Sequence, residues 1–189
     1  MITIIGVGAL GSHVALLLRN EKPGLFVMDF DHVEQKNILA QFHTKMGLGR
    51  NKTVALYQTL QGLFGVKIEI SPNKLIPANS LLLKDTELVI DCTDNMSARA
   101  TIMEACKRYG TPCVHGALSA DGTFARVLWA EDFVPDSEGD VGGATCIDGE
   151  HLPFFVLAAA YLALEVQNFL KTGKKRSWQI TPTGVTRLV

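Results

Sequence analysis

The run Gly6-Val7-Gly8-Ala9-Leu10-Gly11 constrains this chain more than any other feature. It is a GxGxxG pattern placed directly after the apolar residues 1–5. It leads into residues 12–19, where Val14, Leu16, Leu17 and Leu18 suit a helix. In a strand, tight glycine turn and helix, backbone N–H groups can approach a phosphate, and the helix N-terminus adds partial positive charge. Leu25-Phe26-Val27-Met28 reads as a second buried strand ending at Asp29, where an acidic side chain can accept from ribose hydroxyls. Glycine loop and acid together predict a nucleotide site. They fit NAD as well as ATP.

The same alternation continues. A helix is expected over 52–63, a half-exposed strand over 66–70, a buried strand at 88–90 ending on Asp91, and a helix over 97–109. Strands separated by helices of this length predict an α/β fold with a doubly wound, Rossmann-like, mostly parallel sheet. The second half changes character. Segments 113–118 and 123–129 flank Ser119-Ala120-Asp121-Gly122, a hairpin signal, and 178–182 with 185–189 read as another over Thr183-Gly184. Antiparallel strands are therefore expected to extend the sheet there. Residues 131–150 are acidic and glycine-rich, and a stretch of that length inside a compact domain reads as a functional loop. One domain over 1–189 is expected, with a Rossmann-like half at 1–112 and the hairpins, loop and a buried helix at 113–189.

Composition narrows the classes further. With 18 Lys+Arg against 19 Asp+Glu the net charge is −1, which lacks the basic footprint of a nucleic-acid binder. The hydrophobic fraction is 47% and mean hydropathy +0.18, so a membrane segment must be considered. The longest apolar stretch, 152–164, falls short of the roughly 20 residues a bilayer needs and is followed by Glu165, so a core helix is expected. The basic run Lys174-Lys175-Arg176 reads as a charge cluster completing that helix's C-terminus. The opening Met1-Ile2-Thr3 has no basic leader. Cys92, Cys106, Cys113 and Cys146 occur singly, without a CxxC pair, so reduced thiols in the cytoplasm are expected and structural zinc is not. Cys92, Cys106 and Cys113 read as core packing, His32 and His43 as surface residues, and His115 as a hydrogen-bonded structural histidine or a pocket residue.

Longer motifs separate the nucleotides. The segment Asp29-Phe30-Asp31-His32-Val33-Glu34-Gln35-Lys36-Asn37-Ile38-Leu39-Ala40-Gln41 resembles the DxDxVexsNLxRQ signature of the ThiF/MoeB/HesA family, the ubiquitin-activating-enzyme-like adenylyltransferases. Gly49-Arg50-Asn51-Lys52 resembles that family's GxxK, and Asp91-Cys92-Thr93-Asp94-Asn95 its DctDN. Val114-His115-Gly116-Ala117 and Thr145-Cys146 are similar to its hairpin and its crossover-loop cysteine. The resemblance spans nearly the whole chain in order.

The resemblance implies an enzyme that uses ATP and Mg²⁺ to adenylate the C-terminal carboxylate of a ubiquitin-like sulfur-carrier protein or peptide, in thiamin or molybdopterin type sulfur transfer, and that forms a homodimer. It implies nucleotide contacts from Gly6, Gly8, Ala9, Gly11, Asp29, Asp31, Asn37, Gln41, Lys52, Asp94 and Asn95. It gives catalytic roles to Lys52 at the phosphates, Asp94 on Mg²⁺ and Cys146 as a covalent relay. Two departures stand out. The family arginine of NLxRQ falls on Ala40, and a second, carried by a helix ahead of the first strand, has no counterpart in this short form. Lys36, Arg50 and Arg99 are the nearby substitutes. These departures motivate an alternative, a nucleotide-binding scaffold or partner subunit that does not adenylate. An NAD-dependent oxidoreductase would leave Lys52, Asp94 and Cys146 unexplained.

Overall fold

The computed structural model describes residues 1–119, 121–133 and 149–188. Eight strands form one sheet in the order β3-β2-β1-β4-β5-β6-β7-β8. The first five, β1 (Ile2–Ile5), β2 (Leu25–Met28), β3 (Glu69–Ser71), β4 (Leu88–Asp91) and β5 (Cys113–Leu118), pair in parallel. The last three, β6 (Ala125–Trp129), β7 (Ser177–Thr181) and β8 (Gly184–Leu188), add on antiparallel. The expected doubly wound sheet with an antiparallel extension is thus present.

Alternation along the central strands sorts the core into two faces. Ile2, Ile4, Leu88, Ile90 and Val114 pack with α1 (Ala9–Leu17), α2 (Lys52–Phe64) and α4 (Leu152–Thr172). Ile5, Val89 and Cys113 face the other way, onto Ile102, Ala105 and Cys106 of α3 (Met96–Tyr109) and onto Leu83 of a 3-10 turn at Pro77–Leu83. Side chains at i and i+2 share a face, so Asp91 and His115 lie on the α3 side. Helices on both faces leave the carboxyl ends of β1, β2 and β4 as the crevice where a ligand can enter an open α/β sheet.

Element limits differ modestly from the sequence reading. α1 starts at Ala9 rather than 12 and ends at Leu17, because Gly8 serves as its N-cap. β3 covers only Glu69–Ser71 instead of 66–70, since it pairs solely with Phe26, Val27 and Met28. Two short 3-10 turns, Gln35–Leu39 and Lys45–Gly47, occupy the segment between β2 and α2. They have no hydrophobic period, which is why pattern reading passes over them.

The helix α4 has 21 residues, enough by length and composition for a membrane crossing. Phe154, Phe155, Ala158, Ala159, Leu162, Ala163 and Val166 are nonetheless buried in the core cluster shared with α1 and β6. Its polar interruption, Glu165, is also buried and accepts from the Trp129 indole at 3.1 Å, the Trp178 indole at 3.3 Å and the Arg176 N–H at 2.7 Å. Two residues of the basic run beyond it take carboxylate partners: Lys175 pairs with Glu131 and Arg176 with Glu165. Opposite charges within reach outweigh a partial helix charge.

Candidate nucleotide-binding site

The glycine loop is shaped by close approaches. Gly6 has φ +86°, and a Cβ there would lie 2.9 Å from the Cys92 carbonyl oxygen. A Cβ on Gly11 would lie 1.9 Å from the Gly6 carbonyl oxygen, so this position admits only glycine if α1 is to leave the loop at this angle. Gly8 is different. Nothing approaches a Cβ there closer than Gln41 Nε2 at 4.0 Å. The first and third glycines therefore let the chain pack on itself, and the second leaves its backbone open to a ligand at the start of α1.

Asp29 ties β2 to this loop. Its Oδ2 accepts the Val7 N–H at 2.8 Å and its Oδ1 the Asp31 N–H at 2.8 Å. Burial pushes its carboxyl up from the ordinary value, against these two N–H groups and the Lys52 charge. Two lone-pair positions remain of the four a carboxylate offers, so the side chain can still accept from ribose hydroxyls. Asp31 is exposed and forms an ion pair with Lys52, Nζ to Oδ2 at 3.1 Å. Lys52 is not the solvated helix-start lysine that surface statistics favour: its side chain is 9% exposed. Asn51 explains how it is held there. The Asn51 amide donates to the carbonyls of Asp29 and Asp31, while its Oδ1 accepts from Thr53 N and caps α2. Residues some twenty positions apart in sequence are thereby stitched into one turn.

Asn37 and Gln41 occupy the next shell of this turn. Asn37 is buried and its Oδ1 accepts the Glu34 N–H at 2.8 Å, so its carbonyl is spent on the 3-10 turn. Gln41 faces Gly8, and its Oε1 is buried without a hydrogen-bond partner. An orphaned buried acceptor beside an open glycine is what a nucleotide hydroxyl or amino group would satisfy. His43, expected at the surface, is buried instead. Its Nε2 lies 3.0 Å from the Val7 carbonyl oxygen, and desolvation holds its pKa down at about 4. The neutral ring donates Nε2–H and so supports the loop from beneath.

On the other side of the loop, β4 delivers Asp91-Cys92-Thr93-Asp94-Asn95. Asn95 caps α3 by accepting the Ala98 N–H at 3.0 Å, so its carbonyl serves the helix rather than a ligand. Asp94, one residue earlier, is exposed and is not the cap. The described residues contain no cluster of three or more His, Cys, Asp or Glu that could hold a metal ion, so a divalent ion would rest on Asp94 together with a ligand's own oxygens. Cys106 and Cys113 are buried and Cys92 half-buried, as core packing predicts. Cys146 lies outside the described residues.

The candidate replacement cations are engaged elsewhere. Ala40 is fully buried in the main core, so the family's arginine position points inward here. Lys36 pairs with Glu34 at 2.9 Å, and Arg50 bonds Gln58. Arg99 donates Nε and Nη2 to the Thr93 carbonyl at 3.0 and 2.6 Å, and Nη2 to the Gly116 carbonyl at 3.3 Å. Sequence reasoning missed three arrangements in this region: the Asn51 bridge, Arg99 as a backbone clamp, and the partnership of Asp91 with His115. For Asp91 and His115 a signal existed, since each is a polar side chain within an otherwise buried strand segment.

The chain is similar to known proteins in both sequence and fold. The chain is 33% identical over 126 residues to the adenylyltransferase and sulfurtransferase MOCS3 of Anopheles gambiae, covering 64% of this chain and 29% of that protein. It is 28% identical over 142 residues to the probable adenylyltransferase/sulfurtransferase MoeZ of Mycobacterium tuberculosis, covering 73% of this chain and 36% of that protein. The chain thus spans about a third of the length of these relatives. Its fold superposes on a crystal structure of Escherichia coli MccB with ATP at a TM-score of 0.77, with 17% identity, 99% of this chain and 62% of that one covered. A crystal structure of PaaA superposes at a TM-score of 0.76 with 19% identity, covering 99% of this chain and 62% of the other. The ThiF family profile matches residues 1–150, and the chain belongs to the ThiF family.

Proposed function

We propose that this chain binds ATP at the glycine loop and adenylates the C-terminal carboxylate of a small protein or peptide. The first class to test is a ubiquitin-like sulfur carrier of thiamin or molybdopterin type sulfur transfer. The observation that carries the reading is Lys52, a nearly buried cation tied through Asp31 and Asn51 to the turn whose Asp29 holds Val7. An NAD-dependent hydride transfer accounts for the glycine loop and Asp29 but does not require this cation. The relatives named adenylyltransferases, and the MccB structures with ATP and with AMPCPP and MccA, support the same chemistry.

The chemistry follows from the weakness of a carboxylate as an acyl donor. Its oxygen attacks the α-phosphorus of ATP, a C–O–P linkage forms, the bond to the β-phosphate oxygen breaks, and pyrophosphate leaves. The acyl-adenylate then carries AMP as a good leaving group. The protein must bring two anions together, so positioning and charge compensation dominate the barrier. The backbone at Gly8 and the start of α1 receive the phosphates, Lys52 offsets their charge, Asp29 accepts from the ribose, and the Gln41 amide meets a further polar group. A magnesium ion arriving with the triphosphate would be held by Asp94 and phosphate oxygens, and would neutralise the leaving pyrophosphate. The exposed Val156 and Leu164 of α4 support a homodimer as the working form, and the reduced, ATP-rich cytoplasm is the compartment this chemistry suits.

A second reading is a nucleotide-binding scaffold without turnover. It is favoured by the buried Ala40 and by the engagement of Lys36, Arg50 and Arg99 in other bonds. ATP–pyrophosphate exchange with purified carrier proteins and peptides separates the two. Carrier-dependent exchange establishes adenylation. Tight ATP binding by calorimetry without exchange in any carrier's presence selects the scaffold, and preference for NAD over ATP defeats both.

A further inference from the structure

Asp91, the last residue of β4, is the register neighbour of His115 in the middle of β5. Both are buried, Asp91 to 0% and His115 to 1% exposure, on the face covered by α3. The Asp91 carboxylate divides its bonds with care. Oδ1 accepts the Thr93 N–H at 2.9 Å and the Thr93 hydroxyl at 2.7 Å. Oδ2 lies 2.7 Å from His115 Nδ1 and 3.9 Å from Arg99 Nε. A carboxylate only accepts, so Nδ1 carries the proton, and the Cys113 Sγ lies 3.6 Å from the other ring nitrogen, Nε2. Phe133 stacks on the imidazole with centroids 4.2 Å apart and planes 17° apart. Arg99 meanwhile holds the Thr93 carbonyl. Thr93 is thus gripped at its N–H, its hydroxyl and its carbonyl, and the next residue is Asp94.

Cys113, His115 and Asp91 copy the order of a nucleophilic triad, but not its access. Cys113 is 1% exposed, and a hydrogen bond with Cys106 together with burial pushes its thiol well above the ordinary range. A reactive thiol needs the opposite setting. The cluster serves geometry instead. We propose that His115 is a positioning residue for adenylation: by fixing Asp91 it sets Thr93 and so orients Asp94 over the glycine loop. The loop after β4 is already in contact with that site, since a Cβ on Gly6 would meet Cys92 O. The inference rests on the adenylation reading of Asp94.

The test compares His115→Phe, which keeps the ring and its stacking but loses the donor, with His115→Asn, whose amide N–H can replace Nδ1–H. In the nucleotide-free protein, His115→Phe should speed hydrogen exchange at the Thr93 amide. In ATP–pyrophosphate exchange it should lower kcat about 10- to 100-fold with KM for ATP unchanged. His115→Asn should recover both. Should the phenylalanine variant not fold, Arg99→Met, which releases the Thr93 carbonyl from the other side, should give the same split between kcat and KM. Unchanged Thr93 protection and kcat in His115→Phe overturn the proposal, as does His115→Asn falling as far as His115→Phe. If wild-type protein shows no pyrophosphate exchange, the adenylation reading fails, while Thr93 protection still decides whether His115 sets this loop.

Discussion

The two halves of the sheet each bury one carboxylate, and the two are put to different uses. In the parallel half, Asp91 is fully buried and its bonds run to Thr93, in a loop that opens onto the glycine turn. In the antiparallel half, Glu165 is 2% exposed and its bonds run to Trp129, Trp178 and Arg176, all within the packing of α4 against β6 and β7. Both acids are satisfied, as buried charge requires. Only the first is connected to the loops that carry the nucleotide-binding motifs. A groove of about 430 Å³ does lie beside Glu165, lined by Tyr161, Leu164, Arg176 and Trp178, yet none of the nucleotide-binding motifs borders it. Cavity size is thus a poor guide to chemistry in this fold, and the carboxyl ends of the parallel strands are a better one.

The comparison makes separable predictions. Glu165→Leu leaves two indole N–H groups and a backbone N–H without their acceptor, and should lower unfolding free energy by about 3–5 kcal/mol in urea titration. If the halves are as distinct as argued, ATP affinity measured below the unfolding transition should not change. Lys52→Ala should do the reverse, lowering ATP–pyrophosphate exchange about 10²- to 10³-fold with little loss of stability. Equal damage to both properties by either variant would break the distinction.

Acid sharpens it further. His43 keeps a folded pKa of about 4 against an ordinary 6.5, so the unfolded chain binds the extra proton between those values. The stabilisation is complete above 6.5 and is lost as pH falls toward 4, amounting to about 3 kcal/mol. His43→Gln should flatten that limb of the stability–pH curve, and an unaltered limb would show that other groups titrate there. The smallest stability effect is expected at Gly8. Gly8→Ala should shift stability by less than about 0.5 kcal/mol, since the nearest atom to the added Cβ is Gln41 Nε2 at 4.0 Å, an ordinary contact. It should still weaken ATP binding in calorimetry, because the methyl stands where the ligand approaches. A variant that binds ATP as tightly as wild type would remove Gly8 from the site.

These outcomes bear on how the site could be read from sequence. Local pattern suffices for the strand–glycine–helix unit, because each part obeys its own period and Gly6 and Gly11 stand where close approach forbids a side chain. The pairing of Lys52 with Asp31 is another matter. It depends on Asn51 bridging to the Asp29 and Asp31 carbonyls, a contact between segments some twenty residues apart for which no periodicity exists. His43 was misplaced for the same reason: a polar residue between two short 3-10 turns looks solvated until the turns fold it under Val7.

The sequence by itself determined the architecture, the glycine turn, the acid after β2 and the family, since all of these live in local spacing and ordered motifs. Only the tertiary structure decided which charges face the site. Ala40 points into the core, Arg99 is spent on the Thr93 carbonyl, and Asn95 caps α3 while Asp94 stays exposed. The physical reason is that a charged or polar group takes whichever partner the folded chain brings within about 3 Å, and that partner comes from strand register and helix placement rather than from neighbours in sequence.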